Sequence, residues 1–241
     1  MIYRLLKFVL LGPFLRLFNR PRTEGRHNVP NAGPALLASN HLSVADWLFM
    51  PLVLPRRVTF LAKAEYFNRP GLYGALQRLF FAGSGQYPID RTNAESAQAA
   101  LNAGGEVLAR GDLLGMYPEG TRSPDGRLYR GKTGPARLAL NTGVPIVPVA
   151  LVGTDRIKGK RFPRPVRVTV KFGEPVDLTP WAGREGDRGA EREITDVVME
   201  RIQVLSGQEY VRDQYGADVK KKMEALANSG HNLLDQPAMQ E

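Results

Sequence analysis

The chain has 241 residues, 43% of them hydrophobic, so it can bury one sizeable core, and no proline-, glycine- or serine-rich linker divides it into two domains. It has no cysteine, which excludes disulfides, thiolate nucleophiles and cysteine zinc sites, and its three scattered histidines lack metal-ligand spacing; we therefore expect no metal and no cofactor. The formal net charge of +9 favours an anionic partner. Three classes fit, namely phosphate-bearing small molecules, a membrane surface and nucleic acid, and charge alone does not choose among them.

The N-terminal stretch is bulky and apolar but carries cations at Arg4, Lys7 and Arg16. Its longest charge-free run is shorter than the ~20 residues that span a bilayer. No small-residue cleavage site follows, so we expect neither a spanning helix nor a cleaved signal. Gly12-Pro13 is predicted to break the stretch into two short basic amphipathic turns. The pattern is typical of a helix at a bilayer interface, and equally of a terminal helix packed on its own domain.

A predicted buried strand over residues 34–39 leads into His41, and a helix predicted over 43–50 carries Asp46. The other two histidines lie in a polar loop and in the polar tail, so His41 is the candidate general base. On one continuous helix this spacing would leave the two side chains about 140° apart. We therefore expect His41 to precede the helix, at a sheet edge of the kind where α/β folds place chemistry. Taken alone, the pair also fits an ordinary loop histidine beside a first-turn aspartate.

Cations follow at the ends of the next predicted elements. A strand over 58–63 ends in Lys63, a short apolar helix covers 72–81, and Arg91 precedes an alanine-rich helix over 94–109. An arginine at a helix N-terminus suits an anion. With the aspartate before it, Arg91 is also typical of a surface ion pair.

A buried strand over 113–117 then delivers Glu119, Gly120, Thr121 and Arg122 to one loop. These are a carboxylate, a flexible glycine, a hydroxyl and a guanidinium whose planar fork suits a phosphate or carboxylate ligand. A turn without function accommodates the same residues.

Residues 126–133 match the nucleotide-binding pattern G-x-x-x-x-G-K-[ST] letter for letter. The context does not fit, because no strand leads directly into the loop and Gly134-Pro135 follows the threonine. No apolar strand ending in a magnesium-binding aspartate follows either. We therefore interpret 131–134 as a basic loop before a helix over 135–141.

The remaining elements complete a single α/β domain with a mostly parallel or mixed central sheet flanked by helices. They are a buried strand over 143–152, a basic cluster over 156–164, a partly exposed strand over 166–172 and a closing helix over 191–205. We divide the chain into an amphipathic membrane-associating segment (1–20), the domain (21–215) and a polar tail (216–241), which we expect to be mobile.

Four stretches, in this order and spacing, resemble the motifs of the glycerolipid acyltransferases, specifically the 1-acyl-sn-glycerol-3-phosphate acyltransferases. They are residues 40–46, 85–91, 117–123 and 144–149, and residues 61–65 resemble the family's lysine segment. The resemblance covers roughly residues 22–180. One departure is Gln86-Tyr87-Pro88, where the family tends to continue a β-branched run.

The resemblance implies roles for eight residues. His41 is the general base and Asp46 orients it, while the acceptor's phosphate is held by three cations: Lys63, Arg91 and Arg122. Glu119, Gly120 and Thr121 line the substrate site. Backbone N–H groups near Gly120 are expected to bind the developing oxyanion.

The implied reaction moves a fatty acyl group from an acyl-CoA or acyl carrier protein thioester to the sn-2 hydroxyl of lysophosphatidate. Without a G-x-S-x-G elbow or a cysteine, we expect direct attack by the hydroxyl instead of a covalent acyl-enzyme. The expected partners are the lysophospholipid, the thioester and an anionic membrane surface, with peripheral attachment at the cytoplasmic face of the cell membrane. The alternatives are another lysolipid or glycolipid acceptor and a noncatalytic anionic-lipid-binding protein. No basic-aromatic motif supports nucleic acid as a partner.

Overall fold

The computed structural model describes residues 2–89, 95–157 and 165–234. Seven strands form one sheet in the order β1-β8-β7-β2-β5-β3-β4, and β6 pairs with β9. The strands are β1 Arg22–Glu24, β2 Ala35–Ser39, β3 Val58–Lys63, β4 Gln86–Ile89, β5 Leu113–Met116, β6 Leu128–Tyr129, β7 Ile146–Val152, β8 Thr169–Phe172 and β9 Tyr210–Val211. Only the β7–β8 pair of the large sheet is antiparallel, so the predicted mixed, mostly parallel sheet is confirmed.

The described residues also form eight α-helices, several of which cover the two faces of this sheet. They are α1 Ile2–Leu5, α2 Leu11–Asn19, α3 Asp46–Val53, α4 Gly71–Gly83, α5 Glu95–Ala109, α6 Gly134–Thr142, α7 Arg188–Ser206 and α8 Gly216–Leu234. No helix within the described ranges is both long enough and apolar enough to span a bilayer.

The central strand β2 is buried on both faces, because it has strands on either side and helices pack above and below it. Leu36 and Ala38 face a core that α5, α6 and α7 complete, whereas Ala35 and Leu37 face the core formed with α2 and α3. This alternation follows from the two-residue period of a strand. A strand buried on both faces requires a near-continuous apolar run, and the sequence of β2 has one, so its predicted burial is confirmed.

The parallel register brings three loops to one edge of the sheet. Ala38 of β2 lies opposite Met116 of β5, so both strands end at the same level. The chain leaves β2 toward His41 and leaves β5 toward Glu119, and β3, on the other side of β5, ends at Lys63. The carboxyl edge of a parallel sheet is where α/β proteins gather their chemistry.

Two local predictions differ from the structure. The helical N-terminal segment does not break at Gly12-Pro13. Pro13 lies in the first turn of α2, where the backbone needs no N–H donor, and a π-helical turn, Leu6–Leu10, joins α1 to α2. The polar tail contains the helix α8, whose lysine, alanine, leucine and glutamate residues are good helix formers. The division into 1–20, 21–215 and 216–241 stays a prediction.

The N-terminal segment packs on the domain along one face, as the second interpretation predicts, whereas its binding to a bilayer stays a prediction. Leu15 is buried against the domain, and the buried ammonium of Lys7 donates to the Leu54 carbonyl oxygen. The opposite face leaves Phe8, Phe14 and other large apolar side chains exposed. The segment is thus a packed terminal helix with an unpartnered apolar face.

Candidate active site

The candidate base and its partner meet across the turn between β2 and α3. His41 follows the strand, and Asp46 is the first residue of the helix, the arrangement that their spacing predicts. The Asp46 Oδ2 atom lies 2.7 Å from His41 Nδ1 and also accepts the backbone N–H groups of Leu42 at 2.7 Å and Ser43 at 2.8 Å. One carboxylate oxygen therefore closes the turn and holds the imidazole.

This contact sets which ring nitrogen of His41 is exposed to a substrate. A carboxylate only accepts hydrogen bonds, so Nδ1 carries the proton and Nε2 presents its lone pair. The Asp46 side chain is fully buried, whereas the His41 side chain is 18% exposed. A buried anion behind a partly exposed imidazole can stabilise the imidazolium that forms when Nε2 takes a proton.

Two aromatic rings fix the plane of the His41 imidazole. The Tyr117 ring stacks on it with centroids 3.9 Å apart, and Phe60 stacks on the other side of Tyr117 at 5.7 Å. Burial raises the pKa of Tyr117 well above its usual value, so the phenol stays neutral. Sequence reasoning missed Tyr117, although its place at the end of a strand beside β2 is a signal that could have found it.

Glu119 is buried, with both carboxylate oxygens engaged by backbone donors. Oε1 accepts the His41 N–H at 3.1 Å, and Oε2 accepts the Tyr129 N–H at 3.0 Å. Burial raises the pKa of Glu119 to about 7; the hydrogen bonds from Tyr129 and His41 oppose this shift, and the charges of Asp46 and Asp125 add to it. Glu119 thus braces the backbone of His41, and the substrate-lining role that the family resemblance implies for it stays a prediction.

Gly120 adopts a left-handed conformation, with φ of +69°, and Lys132 passes over it. A Cβ at this position would lie 3.0 Å from Lys132 Cε, so both the backbone and the available space favour glycine. The Gly120 N–H donates to the Tyr117 carbonyl oxygen at 3.0 Å, which removes it as an oxyanion donor. In the described part of the chain, the next two N–H groups, of Thr121 and Arg122, have no hydrogen-bond acceptor.

The predicted phosphate ligands are only partly described. Arg122 is exposed on the loop, and the N–H of the next residue, Ser123, donates to the His41 carbonyl oxygen at 2.7 Å. Lys63 is the last residue of β3, opposite Ile89 of β4. Arg91 lies outside the described residues. The structure therefore brings His41, Asp46 and the loop of Arg122 together and leaves the other two cations as predictions.

The region of the sequence that holds this site matches a known family. An acyltransferase family model matches residues 20–152, which include every site residue described so far. The chain belongs to the acyltransferase family. Over 150 residues it is 38% identical to the 1-acyl-sn-glycerol-3-phosphate acyltransferase of Limnanthes alba, a match that covers 61% of this chain and 52% of that protein.

Further relatives of this acyltransferase carry the same name. It is 31% identical to the 1-acyl-sn-glycerol-3-phosphate acyltransferase alpha of Mus musculus over 186 residues, which cover 73% of this chain and 63% of that one. The chain spans about half the length of the curated relatives it matches. The crystal structure of the 1-acyl-sn-glycerophosphate acyltransferase PlsC from Thermotoga maritima superimposes with a TM-score of 0.59 and 26% identity, covering 81% of this chain and 80% of that one.

Gln208 lies beyond the matched region and contacts Asn40, the residue before His41. The side chain of Asn40 brackets the backbone of Leu151, donating to its carbonyl oxygen at 3.0 Å and accepting its N–H at 2.8 Å. Asn40 also donates to Gln208 Oε1 at 2.7 Å, and Gln208 Nε2 donates to the Gly126 carbonyl oxygen at 2.7 Å. Gln208 therefore links the residue before His41 to the loop after Arg122, and no local sequence signal marks it.

Proposed function

We propose that this acyltransferase moves a fatty acyl group from an acyl-CoA or acyl carrier protein thioester to the sn-2 hydroxyl of lysophosphatidate, which gives phosphatidate. The observation that carries the proposal is the 2.7 Å contact between His41 Nδ1 and the buried Asp46, which leaves Nε2 as a base. The names of the relatives support the acceptor.

The reaction needs no covalent enzyme intermediate. The acceptor hydroxyl gives its proton to His41 Nε2 while its oxygen forms a bond to the thioester carbonyl carbon. Asp46 stabilises the resulting imidazolium and holds its orientation. When the tetrahedral intermediate collapses, the carbon–sulfur bond breaks, and the imidazolium returns the proton to the departing thiolate.

We assign the oxyanion of this intermediate to the N–H groups of Thr121 and Arg122, because the Gly120 N–H is already engaged. The acceptor's phosphate goes to Arg122, Lys63 and Arg91, the cations that the family resemblance implies. Lys132, whose ammonium lies over Gly120, adds positive charge to the same loop. Charge-assisted bonds to phosphate are the stronger class of hydrogen bond, so this loop suits a phosphorylated acceptor.

We also propose peripheral attachment to the anionic, cytoplasmic face of the cell membrane through the N-terminal helical segment. Phe8, Phe14 and Phe18 are 52%, 49% and 47% exposed, although bulky aromatic side chains prefer burial. Arg4 and Arg20 are exposed on the same segment and carry charges that anionic headgroups attract.

The test is product formation by the purified protein. It is incubated with oleoyl-CoA or oleoyl acyl carrier protein and a panel of lysophosphatidate, lysophosphatidylcholine, lysophosphatidylglycerol and monoacylglycerol, and the products are identified by mass spectrometry. We expect phosphatidate as the main product, and about 10²- to 10⁴-fold slower product formation by the His41→Ala variant.

Two other outcomes of this assay would each favour a different function. A different main product would transfer the proposal to another lysolipid, which the departure at Gln86-Tyr87-Pro88 makes the second candidate. If the folded protein binds anionic vesicles but forms no product with any acceptor or donor, it is a lipid-binding protein, and the catalytic proposal is refuted.

A further inference from the structure

Helix α4 has an outer face that no part of the described chain covers. Leu72, Tyr73, Leu76 and Leu79 are 79%, 67%, 58% and 52% exposed. Their spacing places them on one side of the helix. The helix packs on the domain through the partly buried Phe80 and Phe81, whose rings lie 6.0 and 6.2 Å from that of Trp47. A contiguous row of large apolar side chains exposed to water marks an interaction site.

The charged residues on α4 and in the loop that leads into it are all positive. No aspartate or glutamate occurs from residue 66 to residue 89, whereas Arg69 precedes α4 and Arg78 lies within it. The Arg69 guanidinium lies over the Tyr73 ring, 5.4 Å from its centroid. Leucines flanked by arginines and aromatic rings suit a phospholipid surface, because the leucines enter the acyl region while the cations remain at anionic headgroups.

The face also adjoins the N-terminal helical segment. A Cβ on Gly83, the last residue of α4, would lie 2.3 Å from Ile2 Cγ2, and one on Gly85 would lie 3.7 Å from the Tyr3 ring. The N-terminal segment therefore begins against the end of α4. It exposes Leu17 and other apolar side chains, and no acidic residue precedes Glu24.

We propose that α4 is a second membrane-binding element, whose leucines insert into the same anionic leaflet as the N-terminal segment. The inference rests on the proposed peripheral attachment and adds to it a defined orientation of the protein on the membrane. Two inserted elements prevent the protein from rotating about one inserted helix. Trp47, which follows Asp46 directly, contacts α4 through Phe80 and Phe81. Insertion of α4 therefore sets the position of the turn that joins His41 to Asp46 relative to the lipid.

The cysteine-free sequence allows a direct test with single labels. Leu76→Cys, Phe14→Cys and Val204→Cys variants are labelled with the polarity-sensitive fluorophore NBD and mixed with vesicles of phosphatidylcholine and phosphatidylglycerol. Val204 is the matched control, since it is 83% exposed and lies on α7, on the opposite face of the sheet. We expect a blue shift and quenching by brominated lipid at positions 76 and 14, and neither at 204.

Two results would overturn the inference. If the label at 14 responds and the label at 76 stays in a water-like environment, only the N-terminal segment inserts. If the label at 76 shifts without vesicles and the shift grows with protein concentration, a second copy of the chain covers α4 instead of lipid. Neither result depends on catalysis, so the test is separate from that of the proposed reaction.

A second variant pair connects the face to turnover. Leu72→Ser/Leu76→Ser should lower the affinity for anionic vesicles about tenfold or more, because two inserted apolar side chains are lost. Val204→Ser should not change it. Both proteins should acylate a water-soluble, short-chain lysophosphatidate at the wild-type rate. A loss of that soluble activity in the double variant would make the face part of the substrate site and refute the inference.

Discussion

The contacts of Glu119 predict a pH dependence of stability that a single substitution removes. Burial raises the pKa of its carboxyl from 4.5 to about 7 in the folded chain. Between these pH values the folded state binds more protons than the unfolded state, so the free energy of unfolding falls as pH rises. At about 1.36 kcal/mol per pKa unit, the ionised carboxylate costs roughly 3 kcal/mol above pH 7.

Glu119→Gln replaces this titrating group with a neutral one of the same shape. Both carboxylate oxygens accept backbone N–H groups, so the amide NH₂ of glutamine must face the N–H of either His41 or Tyr129. An unsatisfied buried donor costs about 1–3 kcal/mol. We therefore expect the variant to be less stable than wild type by about that amount at pH 5, and nearly equal to it at pH 8, where the wild type carries the cost of the buried charge.

The assay is urea unfolding followed by circular dichroism at several pH values from 5 to 8. Subtracting the variant from the wild type removes the titration of all other groups. A difference in the free energy of unfolding that stays constant over this range would refute the reasoning. A displaced His41 backbone should also lower kcat in the variant, measured with lysophosphatidate at pH 8, where the two proteins are equally folded.

Four further variants test the remaining contacts. His41→Ala should lower kcat by about 10²- to 10⁴-fold while the protein stays folded, because it removes the Nε2 atom that we propose accepts the hydroxyl proton; a folded, active variant excludes the mechanism. Arg122→Ala should raise the KM for lysophosphatidate roughly 10- to 100-fold, the equivalent of a ~1.5–3 kcal/mol phosphate contact, and leave the donor's KM unchanged. Gln208→Ala should lower kcat and not KM, with Gln203→Ala as the control; equal effects of the two would assign Gln208 to stability alone. Phe14→Ser should weaken vesicle binding and spare turnover of a short-chain acceptor, and unchanged binding would contradict N-terminal insertion.

The turn that joins His41 to Asp46 was predictable because its determinants are local. His41 and Asp46 are five positions apart, and an apolar run before them and a helical pattern after them define the turn. The roles of Glu119 and Gln208 were not predictable, since their contacts join residues 78 and 168 positions apart. Strand β4 was missed for a different reason: it is short and contains Pro88, which disfavours a strand in sequence but is tolerated at the edge of the sheet.

The helix at the C-terminus was not predicted from the sequence. The residues after Tyr215 are mostly polar, so the sequence favours a mobile tail over a packed element. Intrinsic helix propensity is a separate property, and α8 is rich in alanine, lysine and leucine, with a Lys220–Glu224 pair on successive turns. The helix exists because its residues favour it, although most of its surface faces solvent.

The cations of the N-terminal segment divide into two groups that the sequence pattern does not separate. Arg4 and Arg20 are exposed, whereas Lys7 and Arg16 donate to backbone carbonyl oxygens of the domain. The last carbonyl groups of a helix lack intrahelical donors, and the C-terminal end of its dipole is negative. At the end of α3, Lys7 and Arg16 donate to two such carbonyl oxygens, those of Leu54 and Leu52. Burial lowers the pKa of Lys7 to about 8, and the charge of Arg16 adds to this shift, yet the ammonium remains the main form at neutral pH. The N-terminal segment, which we propose enters the membrane, is therefore bound to the helix whose first residue is Asp46. Its attachment to the domain and the position of the Asp46 carboxylate thus depend on the same contacts.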